Sequence, residues 1–320
     1  MKAKVGIFLS LLIGVFALSA SAIFVRLANA PAAVTAFYRL FFTLLVLLPF
    51  LILSKKNTTV LLNLSKKQCI MGFSSGLFLA VHYVLWFESL NYTSVASSTA
   101  IVTLQPLFSI ILGNLFLREH LSKLTFLGCL ISITGCFIIG WGDFQTSYKA
   151  LFGDLLALLA ASIISIYFFI GQIVRRDTPL IPYSVTGYLS SVVFLGLYAL
   201  IQQNSFTHYP SSTWGAFLGL ALISTICGQL IFNLLLKWVP ATTISMSTLG
   251  EPIGTCLLAY FVLNEVIKFQ QGIGIAVIII GLLIFFLPIK SIGKNKDSLE
   301  NKTDNNSPSE LLLTRQQKAL

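Results

Sequence analysis

A chain of 320 residues with 56% hydrophobic and 10% charged side chains has too little polar surface to cover a water-soluble globule. Its net charge of +10 would point to nucleic acid in a soluble protein. Here the cations lie between apolar runs, where orientation in a bilayer explains them better.

The apolar runs come in lengths of roughly 20 residues, each enough to cross a hydrocarbon core of about 30 Å. In chain order they predict ten spans, near 5–25, 32–53, 68–89, 95–117, 122–141, 153–173, 181–201, 213–236, 241–263 and 268–289. The first begins like a secretory leader, with Lys2, Lys4 and a small-residue Ala20-Ser21-Ala22. It is read as an uncleaved helix, because the charge pattern of the other nine requires it. Lys2, Lys4, Lys55, Lys56, Lys66, Lys67, Arg118, Lys123, Arg175, Arg176, Lys237, Lys290, Lys294 and Lys296 fall on one side of such an arrangement, and only Arg26, Lys149 and Lys268 on the other. Positive loops stay in the cytoplasm, so both termini are expected inside a multi-pass protein of the inner (cytoplasmic) membrane. Trp141, Tyr148, Tyr209 and Trp214 flank spans at the opposite interface, where amphipathic rings settle. Residues 290–320 turn rich in Lys, Asn, Ser and Asp and read as a disordered cytoplasmic tail.

The chain also repeats itself. Pro106, Glu119, Gly128 and Gly135 recur as Pro252, Glu265, Gly274 and Gly281, each 146 residues on (252 − 106). Four landmarks in one register mark an internal duplication. Residues 1–141 and 153–289 then form two five-helix repeats joined by a short loop at 142–152. Five is odd, so the second repeat enters the membrane upside down. The expected fold is all-α and integral to the membrane: ten transmembrane helices as two inverted repeats. Pro106 and Pro252 kink the fourth and ninth spans, freeing the carbonyls of Val102 and Thr248. Paired, Pro-interrupted helices in two inverted halves are the pattern of a transport site.

The runs Tyr92-Thr93-Ser94-Val95-Ala96, Leu104-Gln105-Pro106-Leu107 and Leu117-Arg118-Glu119, with Gly128 and Gly135, resemble the EamA-type repeat of the drug/metabolite transporter superfamily. So do Leu249-Gly250-Glu251-Pro252, Leu263-Asn264-Glu265, Gly274 and Gly281. Arg39, in Ala36-Phe37-Tyr38-Arg39-Leu40, is similar to the arginine that opens that family's second span. The resemblance covers residues 5–289 and implies a ten-helix bundle moving small metabolites across an inner membrane. It implies no particular substrate. The second half has Tyr183–Tyr188 where the first has Arg39.

Glu251 is the sharpest candidate, since a carboxyl near mid-span costs about 2.5–3.5 kcal/mol on insertion scales. Its repeat partner is Gln105, so the fold itself demands no charge there. Glu251 is read as a proton-coupling group or a contact for a substrate amine, against a structural carboxyl kept protonated or bonded to freed backbone. Arg39, about 10 Å into its helix, could hold a substrate carboxylate or phosphate. Otherwise it snorkels to headgroups or pairs with a neighbour such as Glu88. His82 with Trp86, and Gln229 with Asn233, are one helical turn apart and share a face. They suit a cavity lining, with interhelical hydrogen bonding as the plain alternative. Tyr38 and Tyr167 complete the candidate cavity. Glu119 and Glu265 read as helix-end ties, and the four glycines as packing residues. Asp154 is expected to open the sixth span.

Gly72-Phe73-Ser74-Ser75-Gly76 matches a nucleophile-elbow string, but it sits inside an apolar helix where helix packing explains it. No nucleotide loop or zinc motif occurs, and the five cysteines lie in apolar runs. The expected protein is therefore no enzyme and needs no cofactor or metal. It is a secondary transporter of amino-acid-like, nucleotide-like or drug-like solutes, working by alternating access with proton coupling or exchange. A non-transporting membrane scaffold and an intramembrane enzyme are the alternatives. Its partners are a small-molecule substrate and the lipid bilayer, with no nucleic acid, in a monomer or homodimer.

Overall fold

The structure, a computed structural model, describes residues 2–117, 122–144, 148–267 and 269–304. Arg118, Glu119, Lys268, the Trp141 side chain and residues 305–320 lie outside the described residues. Helices follow one another as α1 (Lys2–Ser19), α2 (Ser21–Ala28), α3 (Ala32–Ile52), α4 (Lys55–Leu62), α5 (Lys66–Ser89), α6 (Val95–Val102), α7 (Gln105–Leu117) and α8 (Lys123–Phe144). The second half runs α9 (Tyr148–Val174), α10 (Leu180–Ile201), α11 (Ser211–Gly219), a π-helix (Leu220–Gln229), α12 (Leu230–Leu235), α13 (Ala241–Thr248), α14 (Glu251–Leu263) and α15 (Phe269–Asp304). Nine stretches of the described residues are long and apolar enough to cross a bilayer, and α8 adds a tenth apolar helix. The chain is a ten-helix integral membrane bundle. One end of it holds residues 29–31, 90–94 and 202–210 (the Asn29 end); the other holds 53–65, 175–179 and 236–240 (the Lys55 end).

Burial is inverted relative to a soluble protein. Phe16, Phe50, Leu115, Phe261 and Leu283 stand exposed, while Arg39 and Asn233 are fully buried. Such a surface is stable only against hydrocarbon.

The two halves exchange by an approximate two-fold. α8 and α15 pack antiparallel through their glycines: Gly128 faces Gly281, and Gly135 faces Gly274. Exchanging each residue for its repeat partner turns the first contact into the second. Ser132 and Ile278, themselves repeat partners, meet through a Ser132 Oγ–H donated to the Ile278 carbonyl at 3.4 Å. The axis therefore passes beside that pair. Equivalent helices running in opposite directions are what an inverted repeat requires.

Several local features differ from the sequence expectation. α9 starts at Tyr148, so Asp154 lies in its second turn rather than opening it, and accepts from Ser97 Oγ at 3.2 Å. α15 continues to Asp304, past residue 289 where the last span was placed. A short helix, α4, fills the connection between the second and third spans, capped by Ser54. Glu265 follows the left-handed Asn264 (φ 55°), and its backbone N–H closes the end of α14 on the Ala259 carbonyl at 3.2 Å. The tie is thus made by its main chain.

The glycine seam gives a direct test. A Cβ on Gly135 would stand 2.7 Å from the Gly274 carbonyl oxygen, whereas Gly272 has open space around it. Gly135→Leu is expected to cost about 1–3 kcal/mol by overpacking and to lower the thermal unfolding midpoint in detergent. Gly272→Leu should leave that midpoint in place.

Candidate functional site

The fourth and ninth spans are each two helices, α6 with α7 and α13 with α14, and they break at equivalent places. Thr103-Leu104 and Leu249-Gly250 are non-helical turns one repeat offset apart. Pro106 and Pro252, which lack an N–H, sit at the start of each restarted helix. Leu107 N–H donates to the Leu104 carbonyl at 3.0 Å and Ile253 N–H to Gly250 at 3.2 Å, so each restarts through a tighter turn. Two serines brace these restarts. Ser165 Oγ lies 2.8 Å from the Gln105 carbonyl and 2.9 Å from that of Ala161. Ser19 Oγ lies 3.1 Å from the Glu251 carbonyl and 2.9 Å from that of Val15. Ser19 and Ser165 are themselves 146 residues apart (165 − 19), a repetition the sequence reading passed over. Across the crossing, Gln105 Nε2 donates to Thr248 Oγ1, and Ser109 and Ser245 share a hydrogen bond of 2.7 Å.

At this crossing lies a central cavity of about 30 Å³, room for a water or two. Leu18, Val102, Ile164 and Phe168 are its apolar wall; Arg39, His82, Trp86, Gln105, Gln229 and Glu251 are on its polar side, with Tyr83, Thr103 and Thr248. Six of the nine sequence candidates therefore share one cavity.

Arg39 is fully buried, so it does not snorkel to headgroups. Nor does it pair with Glu88, whose carboxylate accepts from Asn91 Nδ2 at 3.4 Å. Its hydrogen-bond partners are neutral: Nε donates to Thr225 Oγ1 at 2.8 Å and Nη1 to Ser21 Oγ at 2.6 Å. Its Cζ lies 4.3 Å over the Tyr83 ring, a cation–π contact strengthened by exclusion of water. Nη2 has no hydrogen-bond partner. His82 Nδ1 lies 3.0 Å from the Ala160 carbonyl. A carbonyl only accepts, so Nδ1 carries the proton and the neutral ring keeps Nε2 as an acceptor. The ring stacks on Trp86 at 5.8 Å. Besides Arg39 Nη2, three more cavity donors are buried without partners: Tyr83 Oη, Trp86 Nε1 and Gln229 Nε2. Each such group costs about 1–3 kcal/mol if left unmet.

The other three candidates lie elsewhere. Tyr38 turns about 100° away from Arg39, as adjacent helical residues do. Its hydroxyl donates to the Phe206 carbonyl at 2.7 Å, and its ring stacks on Phe42 and Phe217 at the Asn29 end. Asn233, one turn beyond Gln229 towards the Lys55 end, is bonded instead to Tyr167 and Tyr188. Its Oδ1 lies 2.9 Å from Tyr167 Oη, and its Nδ2 lies 3.2 Å from Tyr188 Oη. Arg175 Nε adds a bond to the Asn233 carbonyl at 2.9 Å, and Nη1 holds the Thr178 carbonyl. This cluster lies on the Lys55 side of the cavity. On the Asn29 side a second cavity of about 310 Å³ includes Arg26, Asn29, Asn91 and Phe87 in its wall. Phe87 stacks on Tyr83 at 5.3 Å, so an aromatic pair separates the two cavities.

Tyr83, Ser21 and Thr225 are site residues that sequence reasoning missed. Tyr83 lies three residues before Trp86, a spacing that a search along that face would have found. The Gly72–Gly76 string lies within α5. There Gly76 fits against the Gly187 backbone, and its carbonyl accepts from Ser191 Oγ at 2.6 Å. Helix packing uses it fully. Among the described residues no three His, Cys, Asp or Glu side chains gather as metal ligands would.

Known proteins agree with this architecture. The chain is 29% identical over 210 residues to the uncharacterized transporter YyaM of Bacillus subtilis (strain 168), covering 62% of this chain and 67% of that one. It is 25% identical over 290 residues to the uncharacterized transporter YdfC of the same organism, covering 89% and 92%. One solved crystal structure superposes with a TM-score of 0.72 over 90% of this chain and 98% of that chain; at 18% identity this concerns the fold alone. Residues 4–141 and 151–287 each match the EamA-like transporter family, and with two such repeats spanning the whole bundle the chain belongs to that family.

Proposed function

We propose that this protein is a secondary carrier that moves a small polar solute across the cytoplasmic membrane by alternating access. The observation that carries the reading is the central cavity. It forms where the two equivalent helix breaks cross, and it holds a guanidinium and a carboxyl at membrane depth. Inverted repeats can exchange conformations about their two-fold, so closing one side of such a cavity opens the other. Here the side towards the Lys55 end is held by the Tyr167–Asn233–Tyr188 cluster with Arg175. Towards the Asn29 end only the Tyr83–Phe87 pair intervenes before the larger cavity. This side is the one that opens first. No step of it requires an enzymatic group. Uptake of labelled amino acids, nucleotides, sugars and lipophilic cations into proteoliposomes, against liposomes carrying an unrelated membrane protein, tests the reading. Equal retention of every solute by both preparations would leave only a scaffold.

Orientation follows from charge. The Lys55 end carries Lys55, Lys56, Lys66, Lys67, Arg175, Arg176 and Lys237, and the Asn29 end Arg26 and Lys149. The Lys55 end is therefore taken as cytoplasmic. Reporter fusions after Lys56, Arg176 and Lys296 should read cytoplasm, and one after Lys149 should read outside. A Lys296 fusion reading outside would overturn the span count.

Glu251 is the proposed coupling residue. It is buried in the cavity wall, and the amide of Gln105 at the equivalent place shows that the backbone tolerates the isostere. Glu251→Gln should retain solute binding and exchange but lose accumulation against a gradient. Accumulation with the pH dependence of the unsubstituted carrier would make Glu251 structural.

A further inference from the structure

Four donors without partners converge on one small cavity, and that pattern describes a ligand. Arg39 Nη2, Tyr83 Oη, Trp86 Nε1 and Gln229 Nε2 are each buried, each unmet and each on its wall. Side-chain donors come from three different spans, so no single helix's packing accounts for them. Buried donors are normally satisfied, and one group that satisfies several at once is an oxyanion. The guanidinium selects its charge. Nε and Nη1 are already taken by Thr225 and Ser21, which fix the plane of the group and leave Nη2 for a ligand. One cation with three neutral donors suits a singly charged, planar head better than a doubly charged phosphate.

The opposite wall limits what the head may bring with it. Glu251 lines the same cavity from α14. The other titratable groups lining it are Arg39 from α3 and His82 and Tyr83 from α5; α1 contributes Leu18 and α6 contributes Val102. On α2, which also packs on α14, Arg26 is exposed and bonded to the Thr93 carbonyl at 3.1 Å. An added anion would thus place two carboxylates against one guanidinium in a water-poor space, where like charges repel strongly. A compensating positive charge must come in with it.

We propose that the central cavity binds the carboxylate of a small solute through Arg39, Tyr83, Trp86 and Gln229, and that one positive charge accompanies it on the Glu251 side. This rests on the carrier reading above and names its substrate class. The charge has two chemical sources: a proton on Glu251 when the solute is a monocarboxylate, or the solute's own ammonium when it is an amino acid. The apolar wall of Leu18, Ile164 and Phe168 receives the rest of the solute once the Tyr83–Phe87 pair moves.

Matched probes decide it on the purified protein in detergent. Propionate, L-alanine and ethylamine form one set; 3-phenylpropionate, L-phenylalanine and phenethylamine form another. Thermal unfolding and calorimetry should show that a carboxylate-bearing member of a set binds and that its amine does not. Tyr83→Phe, which keeps the ring and removes its hydroxyl, and Trp86→Phe, which exchanges the indole for a smaller ring without a donor, should each weaken carboxylate binding by roughly tenfold. Arg39→Gln should abolish it, and Arg39→Lys should restore it only in part. Calorimetry in buffers of different ionisation enthalpy separates the two sources. At a pH high enough for Glu251 to be ionised in the empty carrier, a bound monocarboxylate should take up about one proton per site and a bound amino acid none. In Glu251→Gln the proton uptake should vanish. Amines binding as well as acids, unchanged affinity in Tyr83→Phe and Trp86→Phe, or a monocarboxylate bound without proton uptake at a pH where Glu251 is ionised in the empty carrier would each overturn the proposal. Should no carboxylate bind while proteoliposomes accumulate another solute, the class is wrong and the carrier reading stands. Should carboxylates bind yet never cross, the site stands and the carrier reading falls.

Discussion

A backbone carbonyl that has lost its helical partner cannot be left facing hydrocarbon, and this constraint arranges the molecule. Each unmet group at membrane depth costs several kcal/mol, so a proline-broken span must lie inside the bundle, with protein groups to receive it. Ser19 and Ser165 bond the first residue of each restarted helix, at the Glu251 and Gln105 carbonyls, and so tie the first and sixth spans to the breaks. Because both breaks need the same shelter, they come together. The polar centre of an otherwise apolar bundle follows from that meeting.

The duplication supplies two copies of the backbone and very different side chains. Gln105 is matched by Glu251, Ser21 by Tyr167, Arg39 by Val185 and Tyr83 by Gln229. The repeat partners at the scaffold are alike: the prolines, the braced serines and the glycine seam of α8 and α15. These like partners hold the two-fold, and these unlike ones stand at the cavity or beside it. A transporter built on exchange of two halves needs equivalent backbones, so that both end states are reachable, and a single asymmetric set of groups for one solute.

The bundle was legible in the sequence because it rests on run length, cation placement and a repeat register. Each of these survives without knowing any contact. The kinks were legible because proline has one backbone consequence wherever it falls. Arg39, Gln105 and Glu251 were legible as polar groups at a depth where polarity is expensive. Tyr38 was misplaced because neighbouring residues on a helix face different partners, and a short motif does not say which of them turns inward. The partners of Arg39 were illegible. Ser21 and Thr225 are common residues in apolar helices, and only the packing of α2 and the eighth span on α3 brings them to the guanidinium. Asn233 was read as cavity for the same reason: one helical turn separates it from the lining residue Gln229, and a sequence face does not resolve depth.

The eighth span shows why Thr225 in particular could not be foreseen. Its equivalent in the first half, α5, is a regular helix, whereas Leu220–Gln229 is wound as a π-helix. The wider turn carries an extra residue and shifts every following side chain around the axis relative to an α-helix. Thr225 Oγ1 donates to the Leu220 carbonyl, five residues back, at 2.9 Å and accepts from Arg39 Nε. The hydroxyl therefore joins the irregular winding directly to the buried cation. Gln229, at the end of the same segment, lines the cavity with its Nε2 unmet. A regular α-helix would point Thr225 and Gln229 in other directions. One departure from two-fold symmetry in the backbone thus lies where the chemistry is asymmetric, against Arg39.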